Sequence, residues 1–130
     1  MTAEFTLDAA RFDDIAGFYQ EINRVFMADE DWGLAPSLDA LNDLLHGGFG
    51  ALPGDGPARI VWLDIDKSRR DLGVPATRDW LRAKLDRPGT FDTAAIRDQL
   101  AALEAGGGPT YFDILMEIFA DHPRIELVAL

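Results

Sequence analysis

Cysteine is absent from the 130-residue chain, which excludes disulfides, thiol nucleophiles and thiolate metal sites. That absence fits a reducing compartment, and a cytoplasmic location is the expectation. Histidine is scarce. His46 and His122 each follow a helical pattern, where a C-terminal capping cation is the expected role. No run approaches the ~18 apolar residues of a membrane span. The start, MTAEFTLDAARFDD, has neither a basic region nor an apolar core, so no signal peptide is expected. The HExxH, GxSxG and GxxxxGKS/T patterns are all missing, and the Gly106–Gly108 run reads as a helix end rather than a phosphate cradle. Positive charge is the most telling shortage. Residues 1–58 carry 11 acids against Arg11 and Arg24 alone. Residues 59–104 are nearly balanced, with 8 acids and 9 bases, and residues 105–130 carry 4 acids against Arg124. A net charge of −11 argues against nucleic acid or an anionic membrane as a direct partner.

At 48% hydrophobic, the chain can bury a core, and its length suits one domain over 1–130. Residues 4–7 suggest a short edge strand. Residues 13–27 are the clearest helix, with Ile15, Phe18, Tyr19, Ile22, Val25 and Phe26 at helical spacing. A loop over 28–36 leads to Ser37, an N-cap for a helix over 38–46. Residues 59–65, RIVWLDI, read as a buried strand. Helices follow over 77–85, capped by Thr77, and over 93–104, capped by Asp92 or Thr93. A helix over 111–121 and a strand over 124–130 complete the chain. Strands alternating with helices predict an α/β fold with a small parallel sheet.

The helix over 38–46 carries the strongest signal. At 100° per residue, Leu38, Leu41, Leu44 and Leu45 share one side. Asp39, Asn42, Asp43 and His46 share the other. The leucines therefore face the core and the carboxylates face solvent. Asp39 and Asp43 repel each other at this spacing by about 0.2–0.5 kcal/mol, and Asp29, Glu30 and Asp31 crowd just upstream. Trp32 is either a plug beneath the loop or an exposed contact. Gly33 supplies a positive-φ turn or lets a partner come close. Asp64 and Asp66 suggest a metal pair at a strand end, but Lys67, Arg69 and Arg70 favour local ion pairing.

The WG of Trp32-Gly33, followed by LDALNDLLHGG from Leu38, resembles the signature of barstar-type ribonuclease inhibitors. The similarity extends over residues 7–27, 59–68 and 112–130. The resemblance implies a three-stranded parallel sheet flanked by helices, with a helical insertion over about 72–109 that holds Trp80. It also implies an inhibitor, with no catalysis and no cofactor, whose partner is a basic ribonuclease or nuclease toxin. By position, Asp43 would enter the phosphate-binding pocket and Asp39 would meet a neighbouring arginine. Asp121 would add an ionic contact, and Gly33 would let the loop lie against the nuclease. Asp31, Trp32 and Asn42 complete the implied contact set. Asp31 and Asn42 stand where aromatic residues make contacts in the family, and two extra residues within 34–37 lengthen the loop.

Two other functions fit the same residues. One is an acidic binding or regulatory module that keeps the fold but serves a non-nuclease partner. The other is a metal-dependent hydrolase built on Asp39, Asp43 and Asp121.

Overall fold

Three strands form the centre of the molecule: β1 (Ala3–Asp8), β2 (Ala58–Leu63) and β3 (Ile125–Ala129). The computed structural model describes residues 2–87 and 89–130, so position 88, inside the 72–109 segment, lies outside the described residues. The strands lie in the order β1-β2-β3, and both pairings are parallel. Ala58, Ile60 and Trp62 of β2 point to the buried side. On the other side Arg59 pairs with Glu4 at 3.4 Å and Glu126 at 3.1 Å, its neighbours in register on the two edge strands. This alternation has the period of two expected of a half-buried sheet.

Among the described residues, six α-helices flank the sheet: α1 (Ile15–Phe26), α2 (Leu38–Leu45), α3 (Ile65–Asp71), α4 (Val74–Leu85), α5 (Thr93–Glu104) and α6 (Tyr111–Ala120). Asp14 caps α1, its carboxylate accepting from Gly17 N–H at 2.7 Å. Thr110 and Asp113 form a reciprocal capping box on α6. Trp62 centres the core. Its ring stacks on Phe18 and meets Phe112 and Phe119 edge-on, and its indole N–H donates to buried Ser68 at 3.0 Å. The Tyr19 and Tyr111 hydroxyls, 2.7 Å apart, join α1 to α6. Among the described residues, no helix is long and apolar enough to cross a membrane.

Two local readings need correction, and one open choice is resolved. The strand expected over 59–65 ends at Leu63. Asp64 adopts a left-handed conformation at φ 56° and turns the chain straight into α3, which the sequence reading missed. Asp64 and Asp66 therefore share no strand face, and Asp66 pairs with Arg69 at 3.6 Å. Thr77 is no cap. The helix begins at Val74, led by Pro75, and Thr77 is buried inside it. Its hydroxyl donates to Gly73 C=O and accepts from Tyr111 N–H, both at 2.7 Å, which ties α4 to the start of α6. Asp92, rather than Thr93, caps α5.

The α4–α5 pair carries a small core of its own, in which Leu81, Ile96 and Leu103 pack together. Trp80 touches this cluster and the main one, and its ring meets Tyr111 edge-on at 4.9 Å.

Candidate functional site

α2 is placed from both ends. Ser37 accepts from Ala40 N–H at 3.2 Å to start it. Gly47 stops it at φ 81°, where a Cβ would come within 2.5 Å of Pro53 O. Leu41, Leu44 and Leu45 are fully buried, which fixes the rotation of the helix. Asp39 and Asp43 are consequently exposed. Neither makes an ion pair among the described residues.

Arg11 and Arg24 sit at Glu21 of α1. Glu21 is buried, with its side chain 2% exposed, and it takes Arg24 at 2.7 Å and Arg11 at 3.3 Å. Its carboxylate also accepts from Asp8 N–H at 2.9 Å. The two arginines of the first 58 residues are thus both committed to one internal carboxylate. Asp29, Glu30, Asp31, Asp39 and Asp43 remain exposed and without a basic partner among the described residues. Sequence reading missed Glu21. Its position three residues after Phe18, on the inner side of α1, was the available signal.

The loop ahead of α2 is clamped rather than loose. The Asn23 side chain donates to Leu34 C=O at 3.0 Å and accepts from Leu34 N–H at 2.7 Å. Gly33 lies against that amide, and a Cβ there would fall 3.0 Å from Asn23 Cγ. Gly33 has no positive φ among the described residues, so its smallness serves this close approach and not a turn. Trp32 is 47% exposed, with its ring 4.9 Å from Phe49. It leans on Phe49 beside the acidic helix and is not buried under the loop. Asp31 is exposed next to it.

Asn42 and Asp121 have different settings. Asn42 is half-buried, and its Oδ1 lies 2.7 Å from His122 Nε2. Asp121 is exposed at the end of α6, next to His122. The His46 and His122 rings meet edge-on at 4.7 Å, so the end of α6 rests on the C-terminal half of α2. Asp121 therefore joins the α2 neighbourhood through His122. His122 is not the exposed capping cation expected from sequence. It is buried, and burial first, then the neighbouring His46 and Arg124 charges, push its pKa below the usual histidine range against a smaller upward pull from Asp121. Arg124 donates to Leu45 C=O at 2.6 Å, which caps the end of α2 with a cation of a different kind.

Among the described residues, no three His, Asp or Glu side chains converge as metal ligands would, and Asp39, Asp43 and Asp121 make no such cluster. The arrangement presents fixed, solvated carboxylates on a rigid helix beside a clamped aromatic loop. That chemistry suits recognition of a cationic surface.

No curated protein matches the chain in sequence. The family model described as Barstar (barnase inhibitor) matches residues 2–94. The matched stretch runs from β1 through α2 and α4 to the start of α5, so the segment read as an insertion over 72–109 lies partly inside the family pattern. α6 and β3 follow the match and complete the sheet. With well over half its length matched, and a three-stranded parallel sheet flanked by helices, the chain belongs to the barstar family.

Proposed function

We propose that this protein inhibits a basic ribonuclease or nuclease toxin by seating the exposed face of α2, with the loop before it, in the nuclease active site. The observation behind this reading is the pair Asp39 and Asp43, exposed one turn apart and without ion-pair partners among the described residues. A ribonuclease must be cationic where it holds the scissile phosphate. Carboxylates at fixed spacing accept the same forked arginine contacts that a phosphate does. The uncompensated field of the acidic face also attracts such a partner over distance and raises the encounter rate. The repulsion between Asp39 and Asp43 in the free helix is relieved when the cationic site arrives.

Asp43, in the second turn of α2, is assigned to the phosphate pocket, and Asp39 to a neighbouring arginine. Asp121 adds a contact from α6, while Asp31, Trp32 and Gly33 form the loop side of the interface. Asn42 acts at one remove, by holding His122. The inhibitor works by occupancy in the cytoplasm, where RNA is exposed to the nuclease, and needs no cofactor.

The test is a pull-down and inhibition assay with barnase as the probe, comparing wild type with Asp43→Ala. Truncating one partner of a desolvated charge pair costs about 2–5 kcal/mol, a range to which barnase and its inhibitor themselves contribute measured cases. Loss of inhibition with an unchanged circular dichroism spectrum supports the reading. Equal inhibition by the variant sinks it.

A further inference from the structure

Beside the acidic face lies a groove of about 660 Å³, between the start of α2 and the C-terminal half of α4. Leu38, Trp80, Phe91 and Tyr111 give it an apolar lining, Lys84 and Arg87 supply cations, and Asp86 adds a carboxylate between them in sequence. The Lys84 ammonium sits 3.8 Å from the centre of the Trp80 ring and 5.5 Å from that of Phe91. It has no carboxylate partner among the described residues, whereas the ion pairs of α4 with α5 converge on Glu104. Burial against the rings lowers its pKa from the usual lysine value. Phe91 is 36% exposed at the edge of the groove.

Asp39 also lines this groove. A body seated on Asp39 and Asp43 therefore covers its mouth. The α2 face is almost entirely carboxylate, and Trp32 is the large apolar side chain exposed beside it. Interface energy concentrates where aromatic anchors fill desolvated pockets, and charges at the rim contribute mainly orientation and rate. The acidic face alone lacks such a pocket, and the groove supplies one.

We propose that this groove is the second half of the nuclease interface. It seats one rim loop of the ribonuclease, with an apolar or aromatic side chain on the Trp80–Phe91 floor and a carboxylate on Lys84. The inference rests on the inhibitor reading above. It makes the contact two-signed, with carboxylates of α2 meeting cations and Lys84 meeting an anion, and such alternation fixes the docking orientation.

The three tryptophans give an internal test. Trp32 reports the loop, Trp80 the groove, and Trp62 the closed core. Barnase is titrated into the nitrogen-15-labelled protein while the three indole N–H signals are followed, and affinities are measured for Lys84→Glu and Phe91→Ala. Both substituted side chains lie at the surface of the groove, so the fold should survive, and the Trp62 signal checks it. The expected result is movement of Trp32 and Trp80 with Trp62 still, and at least a tenfold weaker complex for Lys84→Glu. Movement of Trp32 alone, with Lys84→Glu binding like wild type, overturns the groove and leaves the inhibitor reading standing. Movement of Trp80 alone separates the groove from the acidic face and overturns both, as does the absence of any change at saturating barnase.

Discussion

Among the described residues the carboxylates of α2 stand unpaired, whereas most of the ion pairs of the molecule lie on its α3–α5 side. On α3–α5, Lys67 pairs with Asp71 of its own helix and with Asp13 at 2.9 Å. Arg78 and Arg82 both reach Glu104, and Arg69 reaches Asp66. These are surface pairs, each worth about 0–1 kcal/mol, and their main effect is to cancel the local field. On α2 and its loop the field is left standing, and Arg11 and Arg24 are engaged by Glu21. The acidic face thus carries its charge without local compensation, while the two arginines of the first 58 residues serve a buried carboxylate in α1.

The largest expected effect breaks the comparison at its functional side. Asp43→Ala should cost about 2–5 kcal/mol of binding to barnase while leaving stability nearly unchanged. Glu104→Ala, which removes an equal charge from the paired side, should alter binding by well under 1 kcal/mol. Isothermal titration of both variants compares them directly. Equal losses would mean that net charge, and not placement, is what the partner reads.

Next in size is Glu21→Gln. The amide leaves Arg11 and Arg24 without their carboxylate and weakens the contact to Asp8 N–H, so stability should fall by about 1–3 kcal/mol in urea unfolding. The same change removes one negative charge and leaves Arg11 and Arg24 uncompensated, so the weaker overall field should slow association with barnase, with the greatest slowing at low salt. A variant that unfolds earlier but associates at the wild-type rate would separate the fold from the field and refute the link between them.

The α2 face was legible in the sequence because a helical wheel needs only local spacing, and the buried leucines fix which side faces out. The strands, α1, α5 and α6 were legible for the same reason. α3 was not, because seven residues following directly on a strand, IDKSRRD, carry little periodicity, and its start depends on a left-handed Asp64 with no side-chain cap. The Glu21–Arg24 pair is local, but the contacts of Glu21 to Asp8, Thr77 to Tyr111 and Asn42 to His122 span 13 to 80 positions, and no local pattern reveals them. The groove was equally hidden, since α2, α4 and α6 all contribute to it.

His122 sharpens the comparison from the other end of α2. Its folded pKa lies below the ordinary value of about 6.5, because burial and the nearby His46 and Arg124 oppose a further charge. Above pH 6.5 the ring is neutral in both states and its contribution is complete. As pH falls below 6.5, the unfolded chain takes up a proton that the folded chain resists, so stability drops with pH through the folded pKa. Melting temperatures between pH 7.5 and 5 should fall for wild type and fall less for His122→Gln. Identical slopes would remove His122 as the source.

The smallest effect is the most discriminating. Asp39→Asn together with Asp43→Asn removes the repulsion across one turn of α2, which is worth about 0.2–0.5 kcal/mol. Asp39 also lies in the first turn, where a negative charge favours the helix dipole by about 0.3–1 kcal/mol. The two terms oppose, so the doubly substituted protein should unfold within about 1 kcal/mol of wild type while losing its hold on barnase. A side chain that contributes nothing to the fold yet is essential for binding is retained for its partner. If the double variant instead proved less stable by about 2 kcal/mol or more, Asp39 and Asp43 would be structural residues, and the unpaired face would need a different explanation.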